Sequence, residues 1–80
     1  MKYDYLIKTS NDSEFRYNLK EAIELAKRYS QSGIIATIER AKIINKQSYY
    51  DNNYLKAFFL GKELKGTYTQ DDFPQIFTQY

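Results

Sequence analysis

Residues 54–68 read YLKAFFLGKELKGTY, and whether they form a helix or a hairpin decides the fold. Leu55, Phe58 and Phe59 stand three and four apart, the spacing of one helical face. A hairpin explains more of the stretch. With Gly61 and Lys62 as a two-residue turn, Phe59 opposes Leu64, Ala57 opposes Gly66 and Leu55 opposes Tyr68, all on one face. The other face then carries Lys56, Glu63, Lys65 and Thr67, as an antiparallel sheet with one solvated side requires. Phe58 and Leu60 are the two apolar exceptions on that outer face, and so a candidate contact patch.

Upstream, GIIATIERAKII at 33–44 is β-branched and apolar, then alternating, which predicts a central strand whose end at Glu39, Arg40 and Lys42 reaches solvent. The polar residues 45–53 between this strand and the hairpin read as a connection bearing Tyr49 and Tyr50. Asn18 followed by Glu21 predicts a helix start, and Leu19, Ala22, Ile23, Ala26 and Tyr29 or Ser30 give it an apolar stripe widened by Leu25. Gly33 marks its end, near residues 30–32. Ahead of it, KYDYLIKT, the turn formers SNDS and EFRY predict a hairpin with a short second strand. The tail TQDDFPQIFTQY is expected as one helical turn or an extended segment packing Phe73, Ile76 and Phe77 on the sheet. The sum is an α+β domain spanning residues 1–80, with a single helix on one face of a four- to five-stranded antiparallel sheet in the order ββαβββ.

Eighty residues make one small domain, and a chain of this size buries only about 60% of its unfolded surface. Nine tyrosines inflate the 42% hydrophobic fraction, so several rings are expected half in the core with the hydroxyl at its rim. Eight isoleucines and no valine, with abundant Asn, Lys and Tyr, point to an AT-rich gene. That bias alone raises the tyrosine and lysine counts. The start, MKYDYLIKTS, has no signal-peptide pattern, and the expectation is a chain complete from its initiator methionine, soluble and cytoplasmic.

Histidine and cysteine are both absent. This removes imidazole triads, thiol nucleophiles, the usual zinc and iron sites and a near-neutral proton shuttle. The glycines stand alone at 33, 61 and 66, so no phosphate loop forms. Asp71 and Asp72 read as the acids of a helix start rather than a metal pair. A non-enzymatic protein with no cofactor, metal, membrane or small-molecule substrate is expected.

Two binding roles remain. Tyr49, Tyr50, Asn52, Asn53 and Tyr54 combine amphipathic rings with adaptable amides, and with Phe58 and Leu60 they form the expected docking surface for a larger host protein or protein–nucleic-acid complex. The alternative is single-stranded or structured nucleic acid held by Lys42, Lys46, Tyr49, Tyr50 and Lys56. The net charge of +2, with both signs interleaved, favours the first. An open sheet edge also allows a homodimer. In size and composition the chain resembles the small accessory proteins of phages and mobile elements, including inhibitors of host defence nucleases such as anti-CRISPRs.

Overall fold

The computed structural model describes residues 2–77, and the side chains of all of these except residues 2 and 51–53. Alternation over the first residues produces β1 (Lys2–Lys8), which pairs antiparallel with the short β2 (Ser13–Arg16). Thr9 closes the turn between them, its buried hydroxyl accepting from the amides of Asn11 at 3.2 Å and Asp12 at 2.9 Å. α1 (Leu19–Ser30) starts where the Asn18 side chain accepts from the Glu21 amide at 2.8 Å. Gly33, with φ +90°, returns its amide to the Ser30 carbonyl at 3.1 Å as the chain leaves the helix.

Three further strands follow: β3 (Ala36–Ile44), β4 (Gln47–Phe59) and β5 (Lys62–Leu64). Together they form one five-stranded antiparallel sheet in the order β2-β1-β3-β4-β5. The helix carries the chain from the β2 edge across β1 to the centre.

Each face of the sheet carries an apolar layer. On one, Tyr5, Ile7, Ala36, Ile38 and Phe58 pack against Ala22, Leu25 and Ala26 of α1. On the other, Ala57, flanked by Ile35, Leu55 and Leu64, packs against Phe73, Ile76 and Phe77 of the tail. A 3₁₀ turn at Gln70–Asp72 steers the tail there, with Asp72 accepting from the Thr69 amide at 2.8 Å, so the two acids do begin a helical turn. Gln70 Nε2 donates to Glu39 Oε1 at 2.7 Å, and Lys8 Nζ stands 4.6 Å from the centre of the Phe77 ring.

The last hairpin differs from its expected register. Its turn is Leu60-Gly61, both with positive φ (52° and 76°), and the pairs are Ala57↔Leu64, Phe58↔Glu63 and Phe59↔Lys62. The register is offset by two residues, which preserves the parity of the pairing, so Leu55, Ala57 and Leu64 still share a face. That face belongs to the tail. The opposite face meets the helix, and Phe58 is fully buried there, not part of an outer contact patch. Its ring occupies the volume left by the three small residues Ala22, Ala26 and Ala36 of the same cluster. A one-sided reading of the hairpin failed because the tail supplies a second apolar layer.

Ser30 ties the helix end to this turn. Its carbonyl accepts from the Leu60 amide at 2.9 Å, and its buried hydroxyl accepts from the Gly61 amide at 3.0 Å while donating to the Lys27 carbonyl at 3.0 Å. Among the described residues no helix is long and apolar enough to cross a membrane.

Candidate docking surface

The expected connection at 45–53 is in fact strand. Asn45 and Lys46, with φ of 51° and 66°, make a two-residue turn in the left-handed region, and β3 and β4 form a long hairpin about it. Such a turn matches the twist of the strands it joins, and asparagine tolerates the conformation. The pairs nearest the turn are Ile44↔Gln47, Ile43↔Ser48, Lys42↔Tyr49 and Ala41↔Tyr50. Farther along, Glu39 opposes Leu55, so residues 51–54 of β4 stand against the single Arg40 in a wide bulge.

The far half of this hairpin carries three exposed apolar side chains. Ile44, Tyr49 and Tyr50 are 43%, 52% and 51% exposed. The Tyr49 hydroxyl donates to Gln47 Oε1 at 2.7 Å, which fixes its ring beside the turn. Tyr49 and Tyr50, adjacent in one strand, point to opposite faces. Lys42, half-buried, lies across from Tyr49, and Lys46 is exposed at the turn. Residues 40–50 contain three basic side chains and no acid.

Tyr54 belongs to a different environment. Its ring tilts at 60° to Tyr5 with centroids 6.2 Å apart, and the Arg40 guanidinium lies 4.4 Å from its centre and 4.8 Å from that of Tyr3. The Tyr54 hydroxyl is buried with no hydrogen-bond partner among the described residues, and burial pushes its pKa up to about 12. This tyrosine supports the bulge from inside. Asn52 and Asn53 lie on β4, but their side chains fall outside the described residues.

Other expected residues do not join the tip. Leu60 is 57% exposed, but it lies at the other end of β4, just past Phe58, whose partner Ala36 is five residues, roughly 17 Å, along β3 from Ala41, the partner of Tyr50. Phe58 is inside. Lys56 pairs with Glu63 at 3.3 Å and is half-buried, so it is not a spare cation for a phosphate. Sequence reasoning missed Ile44 because it took the residues after it for a loop. The signal was the asparagine at 45, a residue suited to the first position of a hairpin turn.

Among the described residues no group of three or more His, Cys, Asp or Glu could hold a metal ion. Comparison with models of protein families, with characterised proteins and with solved structures found no match to this chain.

Proposed function

We propose that this chain is a non-enzymatic binding protein that docks on a larger protein through the far half of the β3–β4 hairpin. The observation that carries the reading is the half-exposed trio Ile44, Tyr49 and Tyr50, held out beyond the helix on paired strands rather than on a loop. Rigid aromatic anchors contribute contact area with little loss of side-chain freedom on binding. The basic residues around them suit an acidic partner surface. Small size, no cysteine or histidine and an AT-rich composition support placing it among cytoplasmic accessory proteins of phages or mobile elements that inhibit a host defence or nucleic-acid-processing machine.

The nucleic-acid alternative has less support. Its five residues, Lys42, Lys46, Tyr49, Tyr50 and Lys56, do not share one face, because Tyr49 and Tyr50 point apart and Lys56 is engaged by Glu63. A single strand could stack on only one of the two rings.

Affinity purification from the native host, run in parallel with the wild type and with Tyr49→Ala/Tyr50→Ala, tests the docking reading. A partner retained by the wild type and lost by the folded variant is the expected result. A partner held equally by both overturns it, as does tight oligonucleotide binding whose logarithm falls linearly with that of salt concentration.

A further inference from the structure

The end of the β3–β4 hairpin is apolar on both faces at once. Cross-strand partners share a face and neighbours along a strand alternate, so the pair Lys42↔Tyr49 sets Tyr49 beside Ile44 on one face, and Ala41↔Tyr50 sets Tyr50 beside Ile43 on the other. β1 runs alongside as far as the pair Lys2↔Ile43, which makes this end a blade three strands wide with β3 in the middle. Neither the apolar cluster under α1 nor the one under the tail takes in Ile43, Ile44, Tyr49 or Tyr50. The blade thus presents an uncovered ring on each side, Tyr49 and Tyr50 being 52% and 51% exposed.

A flat partner surface meets only one of these faces and leaves the other ring in water. Burying both rings takes two walls with the blade between them. Packed sheet layers stand about 10 Å apart, so such walls are separated by roughly 20 Å, backbone to backbone. The charge is placed for the same approach. Lys46 is exposed at the leading turn, and no acid engages it among the described residues. Asp4 of β1, opposite Ala41, is set back from that turn. The part that enters a cleft first is therefore cationic, and the rings follow on either side.

We propose that the partner protein receives this blade in a cleft, one wall closing on Tyr49 and Ile44, the other on Tyr50, with carboxylates at the cleft's floor meeting Lys46. The chain then acts as a plug that fills a cavity of its partner and not as a cover laid on a surface. Opposite charge draws the turn in, and the two rings supply rigid contact area on each wall. This inference rests on the docking reading above.

The full chain, carrying p-benzoylphenylalanine in place of Tyr49, of Tyr50 or of Glu24 on the exposed side of α1, is irradiated in extract of the native host. All three positions are exposed, and melting curves matching the wild type confirm the fold. Cross-links from both hairpin positions to one protein, at two separate stretches of its chain, with none from position 24, are the expected result. Lys46→Glu should lower both yields at least tenfold. Cross-links from one hairpin position only, or from both to the same stretch, overturn the cleft and leave the docking reading standing. Unchanged yields in folded Lys46→Glu overturn the carboxylate floor. No cross-link from either position overturns both the cleft and the docking reading.

Discussion

The two halves of the sheet use similar residues to opposite ends. Under α1, Ile7, Ile38 and Phe58 are wholly buried, while Ile44, Tyr49 and Tyr50 at the far end of the same central strands are about half exposed. Strand pairing continues through both halves. What changes is the cover, since the cluster packed around α1 takes in Tyr3, Tyr5 and Tyr54 but not Ile44, Tyr49 or Tyr50. Backbone pairing alone thus holds apolar side chains in water on the tip, and a domain this small offers little surplus stability to spend on ornament.

Substitutions should separate the halves cleanly. Phe58→Ala opens a cavity among Ala22, Ala26 and Ala36 and is expected to lose about 3–5 kcal/mol in urea denaturation, enough to unfold much of the population. Ile76→Ala on the tail face should cost about 2 kcal/mol, near the low end for such a truncation because only one layer closes over it. If the tail were ornamental, that variant would melt with the wild type. Lys46→Gly relieves a left-handed lysine in the hairpin turn and should raise stability by about 0.5 kcal/mol, read as a shifted urea midpoint. Tyr50→Ala should change stability by less than about 0.5 kcal/mol while abolishing partner capture.

The smallest effects are those of pH. The Tyr29 hydroxyl donates to Glu14 at 2.6 Å and Arg16 pairs with the same carboxylate at 3.1 Å, and these contacts hold its pKa below the usual 4.5. The stability they contribute is present above that value and fades as pH falls through the depressed one. Tyr54 acts at the other extreme. With its pKa raised from 10 to about 12, the folded state loses stability as pH rises through that interval. Thermal melts across pH should show both flanks, and Tyr29→Phe should flatten the acid one.

Most of the fold is legible in local pattern. Asn18, the stripe from Leu19 to Ser30 and Gly33 mark the helix, and period-two alternation marks β1, β2 and β3. The face assignments were not legible, because parity groups Leu55, Ala57 and Leu64 together without saying which layer they meet. Phe58 was misplaced for that reason, and only the tail's path across the far face resolves it. The site was half legible. Tyr49 and Tyr50 are exposed as expected, but β4 extends through Asn52 and Asn53 because cross-strand pairing overrides the low strand preference of asparagine.

The bonds at Ser30 carry a consequence for motion. A helix end usually frays on its own, but here the last turn of α1 shares its carbonyl and hydroxyl with the amides of Leu60 and Gly61, thirty residues on. Neither the helix terminus nor the β4–β5 turn can open without breaking the other's hydrogen bonds. In hydrogen exchange those two amides should trade their protons at the rate of the whole core. The hairpin tip, tied to no such partner among the described residues, should exchange long before them.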